Sequence, residues 1–312
     1  MIPEPKTCSP GIFSGGRGRK VLLTVAMGVL FLLALLLTLY PVISSHYNEA
    51  HQTKIRAEYE QILAQTDTAE FDRLRQAAVA YNKTLIPGVT EEGYSDDRLE
   101  MASVDYVNQL NASGSGIMGY VEIPKIQVNM PIYHGTGADS LDRGTGHLLG
   151  SSLPVGGGGT HSVITGHSGM ASQKMFTDLE QLEEGDVFYL RVLDLVLAYQ
   201  VYHKEVVLPH DTSYLGISQG EDLCTLVTCY PTGINTHRLL VQGKRIPYEE
   251  AQEAETAAVT QETDTRSSWE AQYWLGIRLG LLAAFLVVAV GSLVLLLRRR
   301  KPKRKVGRYE RI

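Results

Sequence analysis

Residues 222–246 read DLCTLVTCYPTGINTHRLLVQGKRI. Two runs rich in β-branched and aliphatic residues, 222–229 and 237–246, flank the turn-forming stretch between them. That is the pattern of two short strands joined by a loop. Cys229 ends the first run and Arg238 opens the second, so both stand where a strand meets a loop, a usual place for reactive groups. Working outward, the same texture recurs in MGYVEIPKIQVNMPIY (118–133), HSVITG (161–166), DVFYLRVL (186–193) and VLAYQVYHKEVVLP (196–209). Many short strands with turn signals between them predict a mainly β domain over 116–246, a closed barrel or a sandwich. One short helix is expected inside it, around 171–182. VGGGG (155–159) lacks the following Lys-Ser/Thr of a phosphate cradle and reads as a flexible turn.

Upstream, residues 46–82 look helical. Ile55, Tyr59 and Ile62 recur at helical spacing, as do Phe71, Leu74 and Ala78. Asp67 followed by Glu70 reads as a capping pair opening the second helix. Residues 85–103 form an acidic, loop-like stretch, and NASGSG (111–116) reads as a hinge. Downstream, 247–274 is polar, acidic and Thr-rich, a solvated linker by composition.

Two apolar runs frame all of this. Residues 21–43 contain no charge and are long enough to cross a bilayer, and a second uncharged run covers 279–297. The first run exceeds the h-region of a signal peptide, and no small-x-small cleavage site ends it. Charge is strongly segregated around these runs. The net charge is −5, but residues 44–273 carry 15 Lys/Arg against 32 Asp/Glu. Residues 1–20 carry four Lys/Arg against one Glu, and 298–312 carry nine against one. By the positive-inside rule, both basic ends are cytoplasmic and 44–273 is extracellular. The expected organisation is a cytoplasmic N-terminus (1–20), a transmembrane helix (21–43) and an extracytoplasmic helical segment (44–115). The β domain (116–246), the linker (247–274), a second transmembrane helix (275–297) and a basic cytoplasmic tail (298–312) follow. The acidic middle argues against nucleic-acid binding, which needs a basic face. Three cysteines exclude a disulfide scaffold and argue against a Cys-based metal site. No metal and no cofactor is expected.

The chemistry rests on few residues. Cys229 is either a core Cys, a partner of Cys224 or a reactive thiol. Five positions apart on one strand place the two cysteines on opposite faces, so a bond between them would break the strand. A nucleophilic thiol needs a base or cation to favour thiolate. His167, in ITGHSGM just after a strand, is a candidate. Arg238 can donate to a developing oxyanion, or it can serve as a rim salt bridge.

Taken together these segments resemble a sortase, and more narrowly a class C, pilus-assembling sortase of Gram-positive bacteria. The resemblance is carried by GYVEIPKIQVNMPIYHGT (119–136), GTGHLLGSSLPVGGGGTHSVITGHSG (144–169) and TLVTCYPTGINTHRLLVQGKRI (225–246). It implies an eight-stranded sortase-type β-barrel with an N-terminal helical and lid segment, flanked by two membrane helices. It implies a cysteine transpeptidase, by class a peptidase-type hydrolase, with catalytic Cys229, His167 and Arg238 and with Thr228 shaping the site. The implied substrate is an LPxTG-like sorting signal cut between Thr and Gly through a thioacyl-enzyme. The implied acceptor is a Lys amine of a pilin subunit. Anchoring of surface proteins to cell-wall peptidoglycan is the alternative, and a non-enzymatic membrane scaffold a more distant one. The Asp-Pro-aromatic lid tripeptide of the class is missing. Glu92-Gly93-Tyr94 stands in its place, a degenerate lid in which Glu92 is expected near Arg238 and Tyr94 over Cys229. Ser168 occupies a position where Arg is frequent in the class.

Overall fold

The computed structural model describes residues 16–85, 104–170, 173–261 and 268–299. The expected lid residues Glu92 and Tyr94 lie outside them. The chain divides into two compact units, one of Met1–Pro41 with Trp274–Ile312, the other Val42–Tyr273.

The larger unit is built on eight strands. They are β1 (Ile117–Ile123), β2 (Val128–His134), β3 (Thr145–His147), β4 (Thr160–Thr165), β5 (Val187–Val192), β6 (Leu195–Val207), β7 (Asp222–Tyr230) and β8 (His237–Ile246). They close into a barrel in the order β1-β2-β3-β4-β7-β8-β6-β5. Of the neighbours, only β2–β3 and β4–β7 are parallel. Closure leaves no free sheet edge, which removes the usual site of strand-to-strand aggregation.

Alternation along the strands sorts the side chains. On β7, Cys224 and Leu226 enter the main core with Met118, Ile123, Phe188 and Leu239. Val227, one step on, joins Val163, Leu240 and Leu148 in a second cluster on the other face. The core is fitted closely around Gly243, where an added Cβ would lie 2.5 Å from the Phe188 ring.

Helices cover the barrel. The part of α1 (Gly16–Gln65) in this unit lays Ile55, Tyr59 and Leu63 on Ile117, Tyr120 and Tyr133. The buried stripe therefore runs 55–59–63, and the expected Ile62 is exposed. On α2 (Thr68–Asn82), Leu74, Ala78 and Phe71 pack on the main core as their spacing predicts. Asp67 caps α2 by accepting from the Ala69 N–H at 3.4 Å. Glu70 does not return the favour; it pairs with Arg73 at 2.5 Å. The Asn82 side chain clasps both backbone groups of Leu153, at 2.7 and 3.1 Å.

Four stretches differ from the sequence reading. The segment 111–116 is a fastened turn and not a hinge, because Asn111 Oδ1 accepts from the Gly116 N–H at 2.9 Å. Residues 171–172 lie outside the described ones, and 173–182 form turns with one 3-10 turn at Leu179–Gln181 in place of an α-helix. There the Phe176 N–H donates to the His167 carbonyl at 3.0 Å, which takes it out of any helical ladder. Strand β3 is three residues long and carried no signal of its own. The acidic stretch 247–274 contains α5 (Tyr248–Gln261), whose Ala251 is buried against Val187, Tyr189 and Ala198. Two glutamates in its first turn suit the helix dipole, and Tyr189 donates to Glu255 at 2.8 Å. The remaining short helices are α3 (Val104–Asn108) and α4 (Ala138–Leu141).

In the smaller unit, α6 (Ser268–Arg299) contains Trp274–Leu293, long and apolar enough to cross a membrane. The α1 segments Thr24–Tyr40 and Ile43–Gln65 qualify as one further span only if taken together. The break between them coincides with Pro41, whose missing N–H interrupts the helical ladder. Gly280 leaves no room for a Cβ beside Thr38, nor does Gly291 beside Met27. Residue numbers rise on one helix as they fall on the other, so the two helices pack antiparallel.

Candidate active site

The parallel register of β4 on β7 ends at Thr165↔Val227. Three hydrogen bonds carry the alignment further. The Gly166 N–H donates to the Val227 carbonyl at 3.0 Å, and Thr228 Oγ1 donates to the Gly166 carbonyl at 2.8 Å. Ser168 Oγ then donates to the Cys229 carbonyl at 2.7 Å. Two steps beyond Thr165↔Val227, the register brings His167 level with Cys229. On the other side, Cys229 is the direct cross-strand partner of Arg238. Neighbouring strands lie about 4.8 Å apart. His167, Cys229 and Arg238 therefore form a row from the loop that follows β4 across the ends of β7 and β8.

The row lies on one face. Cys229 has the parity of Val227, and Arg238 that of Leu240, so both turn away from the main core and towards the second cluster. The sequence-based argument about the cysteines holds in this geometry. Cys224 is buried in the main core, Cys229 is partly exposed, and both are free. Burial pushes the Cys224 thiol well above the ordinary range, which makes it inert.

Each residue of the row is held from behind. Thr228 is buried, so its hydroxyl serves the strand junction and does not face solvent. No Cβ fits at Gly166, where it would lie 2.7 Å from the Phe176 ring. The Gly169 N–H donates to Thr177 Oγ1 at 3.0 Å, closing the loop after His167. Arg238 Nη1 donates to the His237 carbonyl at 3.0 Å, and among the described residues no carboxylate pairs with its guanidinium. A second, longer bond runs from Nη1 to the Asn235 carbonyl at 3.4 Å. A guanidinium without a carboxylate partner can donate to an oxyanion or a peptide carbonyl.

The sequence reading missed two neighbours of this row. Asp142, just after α4, places Oδ1 3.9 Å from His167 Nε2. Ser168 was marked only as a departure from a family pattern. No sequence signal marks Asp142, because the contact joins turns that only the closed barrel brings together. A third feature lies behind the site. Tyr106 OH is 2.9 Å from Nδ1 of His147 and accepts from the Gly135 N–H at 2.9 Å. Nε2 of His147 lies 2.9 Å from the Ser152 carbonyl oxygen. Burial lowers His147 to about 4 and raises the Tyr106 phenol, so both are neutral structural groups.

The sortase domain family matches residues 121–246, a span that holds the whole row. Sortase C of Streptococcus pneumoniae is 43% identical with a TM-score of 0.55, over 62% of this chain and 97% of that one. The chain belongs to the sortase family. A pilus-related sortase C of Group B Streptococcus is similar at 37% identity and a TM-score of 0.55, over 62% of this chain and 97% of its own. Sortase D of Bacillus subtilis is 33% identical over 131 residues, 41% of this chain. That match spans 63% of the Bacillus protein, less than two thirds of its length. Both of these solved relatives of this sortase are of the C type.

Proposed function

We propose that this sortase is a membrane-held cysteine transpeptidase of the pilus-assembling kind. The row His167–Cys229–Arg238, from the loop after β4 across the ends of β7 and β8, carries the reading. In it the thiolate of Cys229 attacks the carbonyl carbon of the Thr–Gly bond in an LPxTG-like sorting signal. Arg238 donates to the oxyanion that forms. The C–N bond breaks as His167 gives its proton to the leaving glycine amine, and a thioacyl-enzyme remains. A Lys amine of a pilin subunit then attacks the thioester, passes a proton to His167 and expels the thiolate. Thr228 acts on this chemistry only by fixing Cys229 against the loop of His167. The pilin acceptor is supported by the C-type relatives, one of them pilus-related and another described in terms of pilin substrate specificity.

The membrane part of the proposal is two spans with both ends cytoplasmic and residues 44–273 outside. It is supported by the basic flanks of both apolar runs and by the antiparallel packing of Thr38 on Gly280 and Met27 on Gly291.

The test is the intact mass of the protein after incubation with LPxTG-type peptides, beside Cys229→Ala. The expected result is a gain equal to the peptide fragment that ends at Thr, absent from the variant. A gain that persists in Cys229→Ala, or none across a broad peptide set with the thiol shown to be alkylatable, would overturn the reading.

A further inference from the structure

The base in this mechanism is a side chain on a loop, and a ring on a loop needs something to hold it. His167 is braced on its backbone by its neighbours. Ser168 is tied to the Cys229 carbonyl at 2.7 Å, the His167 carbonyl receives the Phe176 N–H at 3.0 Å, and Gly166 is packed under Phe176. None of these fixes the imidazole itself, which is about one-third exposed. The group that faces it from another element is the carboxylate of Asp142, 3.9 Å from Nε2.

The turn that presents Asp142 is well secured. The Asp142 N–H donates to the Ala138 carbonyl at 2.9 Å, and the Gly144 N–H to the Ser140 carbonyl at 3.0 Å. Next to it, Arg143 Nε donates to the Asp139 carbonyl at 2.8 Å, and its guanidinium lies 4.2 Å above the Tyr133 ring. The guanidinium of Arg143 is thereby engaged on Tyr133. A second contact joins the same two segments, as Gln173 Nε2 donates to the Asp142 carbonyl at 3.4 Å. The loop of His167 and the turn of Asp142 therefore meet through a side chain and through the backbone.

We propose that Asp142 is a positioning residue for His167, holding Nε2 and so assigning proton exchange with the thiol and the substrate amine to Nδ1. This rests on the transpeptidase reading for its function, but not for its test. At 3.9 Å the contact is too long for a hydrogen bond, so it acts through charge. Its effect is greatest when the ring is an imidazolium beside a thiolate. In the first half-reaction the proton leaves Nδ1 for the glycine amine as the C–N bond breaks. In the second, Nδ1 takes a proton from the attacking Lys amine as the new C–N bond forms and the thiolate leaves. The Nε2 proton stays on the ring throughout, facing Asp142. The titratable or charged groups that share the row with the ring are Cys229 and Arg238, and the next residue along the loop, Ser168, is neutral. Lys174, on the same loop, is occupied by Asp178 at 3.1 Å.

Alkylation of Cys229 by iodoacetamide tests this without any peptide. It is measured on the full chain in detergent micelles between pH 5 and 9 and read by peptide mapping. Asp142 is two-thirds exposed, so its replacement leaves the fold intact and its influence is that of a screened pair. Asp142→Ala and Asp142→Asn are expected to slow alkylation near neutral pH about two- to fivefold, with Asp142→Glu restoring most of the rate. The deciding measurement is the same substitution in a His167→Ala background, where it is expected to change nothing. An equal effect with and without His167, or no effect with His167 present, would overturn the proposal. With a peptide substrate, the loss is expected in the acylation kcat, with KM within twofold.

Discussion

Replacing Tyr106 by Phe removes one oxygen atom from a position only 1% exposed. That oxygen accepts from the Gly135 N–H and meets Nδ1 of His147, both at 2.9 Å. Gly135 and His147 are themselves buried. Among the described residues neither group has another hydrogen-bond partner in place of the phenol, so the substitution strands a backbone donor and a ring nitrogen together. A stranded buried polar group costs about 1–3 kcal/mol, so Tyr106→Phe is expected to cost about 2–5 kcal/mol. A water admitted to the space would bring the figure to the lower end. In a unit of this size each kcal/mol moves the midpoint by roughly 2–4 °C, which gives a fall of about 4–20 °C. The assay is thermal unfolding of the full chain in micelles followed by near-ultraviolet circular dichroism. Tyr202→Phe is the control, since Tyr202 stands 41% exposed on the outside of β6. Equal midpoints for the two variants would refute the claim that the Tyr106 hydroxyl braces this region.

Three further outcomes are expected. Thr228→Val keeps the shape of the side chain but loses the 2.8 Å bond to the Gly166 carbonyl. A cost of about 1–2 kcal/mol in urea unfolding is expected, with slower acylation of Cys229 by peptide. The second outcome concerns pH. The folded protein holds His147 down at about 4, whereas the unfolded chain takes up a proton near 6.5. Between these values the unfolded state binds more protons. This contribution to stability is therefore complete above about pH 6.5 and falls as the pH drops towards 4, by up to about 1.4 kcal/mol per unit. Urea midpoints at pH 7.5, 5.5 and 4.5 check this, and His147→Gln is expected to flatten the slope. The third outcome concerns the two apolar helices. With Thr38→Cys and Gly280→Cys, or Met27→Cys and Gly291→Cys, oxidation is expected to cross-link the matched pairs. The mismatched pair Thr38→Cys with Gly291→Cys is expected to stay open, and equal yields from all three would contradict the antiparallel packing.

Most of the barrel was legible in the sequence because its strands are long enough to show alternation or continuous apolar character. Strand β3 was not, since Thr145, Gly146 and His147 are too few residues to display a period. The helix expected around 171–182 failed for a reason that local propensity does not contain. Leu179 and Leu182 are drawn into the main core and the Phe176 N–H is bonded to the His167 carbonyl, so tertiary contacts set the backbone. In 247–274, polarity was read as a linker, although Ala and Glu are good helix formers and Ala251 needs only a small apolar contact to dock. At the site, Cys229 and Arg238 were legible because each marks a strand end, and His167 for the same reason. Asp142 and Ser168 were not, because their contacts depend on register and closure, which no local pattern records.

The parallel pairing of β4 with β7 has a consequence for how the enzyme comes to be active. The segments of His167 and Cys229 meet across about sixty intervening residues, and β5 and β6 are made in between. Contacts of such long sequence range form late, after the entropy of closing the intervening loop has been met. Arg238 reaches Cys229 within the local β7–β8 hairpin, but until β7 joins β4 the thiol lacks His167, its base in the proposed mechanism. In that mechanism, a chain whose barrel is still incomplete thus carries a dormant nucleophile. Barrel completion would then work as an assembly checkpoint for the proposed chemistry, since only the finished row unites the thiol with its base.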